Sequence, residues 1–297
     1  MTLNQGRLYI VLAAVLWSTS GAFTRLLTRP TVLGLNEPLL NPLQIACGRV
    51  LFAGLVLLPM LRKRDLAFRP AMLGTAASFA LMNGLFVYAL ASGSAANAIL
   101  LQYTAPIWMV VMSVWLLREP VDKRGAVSLA GGMMGVAVII TGSMLDTGKT
   151  GQLPVIAAAL GSGVTYAGVL IGLRITRDLS ATWLTIFNHL ISAAALVPFV
   201  WNLGLPTPGQ TFVLLLYGGL QMGLPYWLVA RGLSRVSPQE AGTLTLLEPI
   251  LNPIWAYFVS REPETVWTFI GGSFILGALA YRYWPFRKPP ATELEQP

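Results

Sequence analysis

The sequence predicts an all-α membrane protein of ten transmembrane helices, built as two inverted five-helix repeats with both termini cytoplasmic. Three observations predict it: only 11% of the residues are charged while 55% are hydrophobic, ten apolar runs follow one another, and the second half repeats a pattern of the first. Soluble domains carry roughly 25% charged residues. A lipid-facing surface must avoid charge, because each mid-membrane charge costs at least about 2.5–3.5 kcal/mol. The mean hydropathy of +0.65 agrees.

The apolar runs lie near 8–27, 42–61, 71–91, 95–117, 125–145, 153–173, 181–201, 209–230, 238–259 and 265–284. Each approaches the ~20 residues that cross about 30 Å of hydrocarbon as a helix. Helices satisfy their backbone polar groups within one segment, and the alternation of a barrel strand is absent. The first run follows Arg7 and continues through Trp17 to Leu27 with no small-residue cleavage pattern after it, so it reads as a retained helix rather than a leader. Polar punctuation such as Arg62-Lys63-Arg64-Asp65 and Pro206-Thr207-Pro208-Gly209 separates the runs.

The formal charge of +8 comes from short basic clusters between runs, not from one stripe of the kind that binds nucleic acid. With the N-terminus inside, 15 basic residues fall in inner segments: Arg7, Arg62, Lys63, Arg64, Arg69, Arg118, Lys123, Arg124, Arg174, Arg177, Arg231, Arg235, Arg282, Arg287 and Lys288. Only Arg25, Arg29, Lys149 and Arg261 fall outside. The positive-inside rule therefore predicts cytoplasmic termini.

A shift of 143 residues aligns 88–120 with 231–263 without a gap, pairing Pro106 with Pro249 and Arg118-Glu119-Pro120 with Arg261-Glu262-Pro263. One repeat thus spans 1–147 and the other 148–286, with 287–297 a flexible cytoplasmic tail. Five helices per copy is an odd number, so the second copy enters the bilayer from the opposite face. Inverted repeats suit alternating access to a central site.

The segments Leu16-Trp17-Ser18-Thr19-Ser20, Tyr88-Ala89-Leu90, Ser94-Ala95-Ala96, Tyr103-Thr104-Ala105-Pro106, Ser237-Pro238-Gln239-Glu240-Ala241 and Leu246-Leu247-Glu248-Pro249 together resemble the drug/metabolite transporter superfamily, specifically its ten-helix EamA-like members. Within it the chain is most similar to amino-acid exporters. The resemblance implies a multi-pass protein of the bacterial inner membrane, monomeric or homodimeric, that moves a small molecule such as an amino acid. The first half has Ala105 where the second has Glu248, which confines an acidic role to one half.

Glu248 adjoins Pro249, which frees a backbone carbonyl one turn earlier. Thr245, Glu248 and Asn252 share a helical face. The carboxyl there is a candidate to carry a proton, to accept a substrate ammonium, or to brace neighbouring helices. Asn83, Gln102 and Gln221 are mid-span amides that must point inward, to a cavity or to another helix. Ser18, Ser162, Tyr166, Trp17, Tyr103 and Trp227 complete the candidate cavity lining, the aromatic rings suiting an apolar or cationic cargo. Pro106, Pro225 and Pro249 mark expected helix distortions. The only histidine, His189, is a possible proton relay. Arg49 is read as snorkelling or bonding a carbonyl, with substrate contact as the lesser alternative, and the resemblance implies a place toward the periphery for its helix and that of His189. Gly131-Gly132-x-x-Gly135, Gly168-x-x-x-Gly172 and Gly219-x-x-x-Gly223 favour close helix packing, within the monomer or between protomers.

One cysteine, Cys47, and one histidine supply no metal cluster or nucleophile pair, so neither an enzyme nor a cofactor is expected. No phosphate-binding loop with a following lysine occurs, which argues against ATP-driven transport. Two readings stay open beside amino-acid export: export of lipophilic cations, and a passive channel or scaffold.

Overall fold

The computed structural model describes residues 2–117, 123–147, 153–176, 178–232, 235–236, 241, 244–261 and 264–283. The first helix is split into α1 (Leu3–Trp17) and α2 (Ser20–Thr28); α3 (Pro42–Leu57) and α4 (Pro70–Ser92) follow. Next come α5 (Ala95–Gln102), α6 (Ala105–Leu117), α7 (Lys123–Thr147), α8 (Leu153–Ile175) and α9 (Ala181–Val200). The second half continues with α10 (Pro208–Leu216), a π-helical segment (Tyr217–Gly223), α11 (Leu224–Gly232), α12 (Leu247–Ser260) and α13 (Val266–Tyr283).

Among the described residues, seven helical stretches are long and apolar enough to span a bilayer, and Val266–Arg282 is a shorter apolar helix. The fourth and ninth expected runs are not continuous helices. A turn at Tyr103-Thr104 separates α5 from α6, and a turn at Leu246 precedes α12. These interruptions sit 143 positions apart, the same offset as the sequence repeat. Pro106 and Pro249 explain them, since each stands in the first turn of the new helix, where a missing N–H costs nothing. Pro225 likewise falls in the first turn of α11, behind the π segment. The Arg118-Glu119-Pro120, Ser237-to-Glu240 and Glu262-Pro263 motifs and the 287–297 tail lie outside the described residues.

At the α1–α2 break the Ser18 and Thr19 hydroxyls turn back to the carbonyls of Val15 and Leu16, each at 2.6 Å. Short polar side chains that bond their own backbone in this way bend helices. Conventional caps start other segments: the Asn41 side chain accepts from the Leu43 N–H before α3, and Ser94 from the Asn97 N–H before α5.

Glycines let backbones touch. A Cβ on Gly135 of α7 would lie 2.5 Å from the Gly271 carbonyl of α13, and one on Gly271 would lie 2.6 Å from the Gly135 carbonyl. Gly172 of α8 would meet Thr75 of α4 at 2.1 Å, and Gly218 of the π segment would meet the Arg49 carbonyl of α3 at 2.5 Å. The glycine motifs of α7 and α8 thus pack helices inside the monomer. Large side chains such as Phe199, Phe212 and Phe269, 68%, 59% and 65% exposed, stand on the outer surface, as a lipid-facing wall requires and a soluble one avoids.

Two apolar clusters form the interior. One gathers Ile45, Val50, Phe79, Val169, Leu196 and Tyr217; the other Leu90, Ile99, Leu101, Ile139, Ile275 and Leu279. The polar cavity described next lies between them.

Candidate functional site

A cavity of about 50 Å³ is lined by Trp17, Arg49, Met82, Phe86, Gln102, Tyr103, Tyr166, Gln221, Met222, Tyr226 and Glu248. The two helix breaks meet on it. The Tyr103 hydroxyl, at the first break, lies 2.7 Å from Glu248 Oε2 and 3.0 Å from the Thr245 carbonyl. Thr245 stands four residues before Pro249, so its carbonyl is the one that the proline leaves without an intrahelical donor. The other carboxyl oxygen, Oε1, makes no hydrogen bond to protein.

Arg49 is only 2% exposed. Its Nε donates to Asn83 Oδ1 at 2.6 Å and one Nη donates to the Tyr217 hydroxyl at 3.0 Å. Asn83 is held in turn, its amide nitrogen donating to the Ala46 carbonyl at 2.9 Å. The Tyr217 hydroxyl donates to the Ser20 carbonyl at 3.1 Å and stands 2.9 Å from the Thr24 hydroxyl. The guanidinium also lies over the rings of Phe86 and Tyr217, 5.6 and 5.2 Å from their centroids. Its second Nη has no protein partner. Arg49 and Glu248 therefore face one cavity, a guanidinium and a carboxyl group each with a polar atom unengaged, and no ion pair joins them.

This corrects the peripheral place expected for Arg49. Beside it Gly218 has no side chain to meet the Arg49 carbonyl, so the π segment packs directly on α3. Of the candidate lining residues, Trp17, Gln102, Tyr103, Tyr166, Gln221 and Glu248 line the cavity. The others are turned elsewhere. Asn83 stands behind Arg49 and fixes it; Ser18 accepts from Trp255 Nε1 at 2.9 Å; Ser162 bonds the Ala159 carbonyl. Asn252 donates to Ser20 Oγ at 2.7 Å against Gly21, and Thr245 contributes its carbonyl. Trp227 lies outward, stacked under the Arg231 guanidinium at 4.1 Å.

Tyr226, Phe86, Met82 and Met222 went unread in the sequence. For Tyr226 the reason is geometric: in an α-helix residue i+5 points about 140° from residue i. The wider π turn over Tyr217–Gly223 brings Tyr226 back toward the face of Gln221.

Two further hollows adjoin. A side pocket of about 330 Å³ is shared by α4, α8, α9 and α11, and a vestibule of about 480 Å³ holds Arg62, Asp65, Trp227 and Arg231. Tyr226 lines all three hollows; Trp17 and Tyr166 line both the cavity and the side pocket; Thr185 lines both the side pocket and the vestibule. His189 lies on the side pocket rather than beside Glu248. Among the described residues no group of three metal-ligating side chains occurs.

The EamA-like transporter family matches the chain twice, over residues 4–141 and 153–283. An uncharacterized transporter of Archaeoglobus fulgidus is 29% identical over 281 residues, covering 93% of this chain and 96% of the relative. The uncharacterized transporter YwfM of Bacillus subtilis is 25% identical over 307 residues, with 96% of each chain covered. A crystal structure with 16% identity superposes at a TM-score of 0.64 over 97% of this chain and all of its own, a likeness of fold alone. The two matches span nearly the whole sequence and an all-helical apolar structure, and the chain belongs to the EamA-like transporter family.

Proposed function

We propose that this chain is a secondary transporter that exports amino acids, aromatic and other neutral ones, across the bacterial inner membrane by alternating access. The observation that carries the reading is the pairing of Arg49 and Glu248 across one small cavity without an ion pair. A zwitterion answers both charges: its carboxylate meets the free Nη of Arg49, and its ammonium meets Glu248 Oε1. The rings of Trp17, Tyr103, Tyr166 and Tyr226 supply an apolar wall for the side chain. The resemblance read from the sequence, to amino-acid exporters such as YddG, supports the same reading.

A 50 Å³ cavity holds water but not a whole amino acid, so the site must widen to load. The vestibule and side pocket lead to it from the end that carries Arg62 and Arg231. That end is the predicted cytoplasmic one, which suits a protein loading from inside. In this reading residues 1–147 and 148–286 are the inverted five-helix repeats, ten helices in all, and the helix breaks at Tyr103-Thr104 and Leu246 form the centre of the pseudo-symmetry. The protein works as a monomer or homodimer, without a cofactor.

Export of lipophilic cations is the second reading, since a carboxylate among aromatic rings attracts them. Arg49 weighs against it, because a guanidinium on the same cavity repels a cation that brings no anion with it. Counterflow in proteoliposomes with labelled tryptophan, phenylalanine and threonine beside a viologen dye decides between them. Saturable exchange of the amino acids is expected; saturable exchange of the dye alone would overturn the proposal.

A further inference from the structure

The side pocket carries polar groups that nothing in the fold satisfies. His189 is fully buried, and its Nδ1 lies 2.7 Å from the Thr185 carbonyl. A carbonyl only accepts, so Nδ1 bears the proton and, in the neutral ring, Nε2 is an acceptor. That Nε2 is buried with no partner. Beside it Asn188 is 4% exposed, its Oδ1 is buried with no partner, and its amide makes no hydrogen bond to protein. Unsatisfied buried acceptors are rare and costly, and two on consecutive residues of one pocket call for a donor from outside.

Most of the remaining wall is apolar, as at Phe79, Val169, Leu173 and Leu184, and Thr185 with the aromatic side chains of Trp17, Tyr166 and Tyr226 completes it. The imidazole is held between rings, 4.8 Å from the Phe79 centroid and 5.4 Å from that of Tyr226. At about 330 Å³ the pocket is within the range of small-molecule sites, roughly 300–1,000 Å³, whereas the charged cavity is far below it. Three aromatic residues, Trp17, Tyr166 and Tyr226, wall both.

We propose that the pocket between α4, α8, α9 and α11 is the specificity pocket for the cargo's side chain, and that His189 Nε2 and the Asn188 amide select a flat apolar ring bearing one N–H or O–H donor. This rests on the amino-acid reading: the zwitterionic head stays at Arg49 and Glu248 while the ring reaches past the shared aromatic wall. An indole side chain fits this description and an unsubstituted phenyl does not. A site built to hydrogen-bond its ligand rejects the analogue that lacks the donor, because its own polar groups are left unpaired.

The test uses the full-length protein and two readouts. In proteoliposome counterflow, His189→Phe keeps the ring contacts and removes the acceptor; it is expected to lower the tryptophan-to-phenylalanine ratio of kcat/KM by about tenfold or more. Asn188→Leu is expected to act in the same direction, and serves alone should His189→Phe not fold. In detergent, thermal stabilisation by indole is compared with that by indene, which replaces the N–H by CH2. Indole is expected to stabilise the wild type more than indene, and the two equally in either variant. An unchanged tryptophan-to-phenylalanine ratio, with amino acids still exchanged, overturns the pocket and leaves the amino-acid reading standing. Indole preference that the variants abolish, in a protein that exchanges no amino acid, overturns the amino-acid reading and keeps the pocket's donor selectivity. Equal stabilisation by indole and indene in the wild type overturns the pocket outright.

Discussion

The hydroxyl of Tyr103 lies 2.7 Å from Oε2 of Glu248, so the break in one half of the chain is hydrogen-bonded to the break in the other. Tyr103→Phe removes that bond and the one to the Thr245 carbonyl, leaving two acceptors to find water or nothing. A loss of about 1–3 kcal/mol is expected. Thermal unfolding in detergent checks it, and a melting temperature equal to that of the wild type would show that the breaks stand without the link.

Glu248→Gln keeps an oxygen that can accept from Tyr103 while removing the charge. The variant is expected to fold, to bind amino acids at least tenfold more weakly, and to lose any stimulation of export by a pH gradient. Transport that keeps both its rate and its pH dependence would take Glu248 out of the mechanism.

Arg49 spends separate nitrogens on Asn83 and Tyr217. Lysine presents one compact ammonium and cannot span both acceptors in the guanidinium's geometry. Arg49→Lys is therefore expected to destabilise the protein by roughly 1–3 kcal/mol and to raise KM for amino acids. Asn83→Leu should mimic part of this loss although Asn83 does not line the cavity, which paired melting and counterflow measurements would detect.

Gly218→Ala places a Cβ 2.5 Å from the Arg49 carbonyl and 2.8 Å from the Ala53 nitrogen, both backbone atoms with no rotamer to yield. Sharply reduced folded yield is expected. Gly74→Ala, where a Cβ meets nothing within 4 Å, is the matched control and should fold like the wild type.

Impermeant thiol labelling tests the proposed inversion, with the buried Cys47 replaced by alanine. Single cysteines placed after residues 118 and 261 are expected to label from opposite faces of the membrane. Labelling from the same face would refute the inverted arrangement.

The seven spanning stretches and the shorter apolar helix were legible because a lipid-buried backbone must satisfy itself locally, which writes long apolar runs directly into the chain. The breaks were legible through Pro106 and Pro249, whose missing donors announce them. What escaped was rotation about the helix axes. Asn83, Ser18, Ser162 and Asn252 are polar and buried, yet Asn83 and Asn252 spend their amide hydrogen bonds on neighbouring helices, and the Ser18 and Ser162 hydroxyls donate to carbonyls of their own helices, rather than to the cavity. Arg49 and Tyr226 line it beside the close contact of Gly218 and behind the π turn, and neither a close glycine contact nor one extra residue in a turn has a compositional signature strong enough to read.

Where α7 meets α13, the main chains of Gly135 and Gly271 touch with only hydrogen atoms between them, across the boundary of the two family matches. A slide of one residue there would drive a side chain into a peptide plane, so this seam resists shear. Any relative movement of the two matched segments must therefore either spare this contact or part it outright, because it leaves no side chain that could yield by degrees.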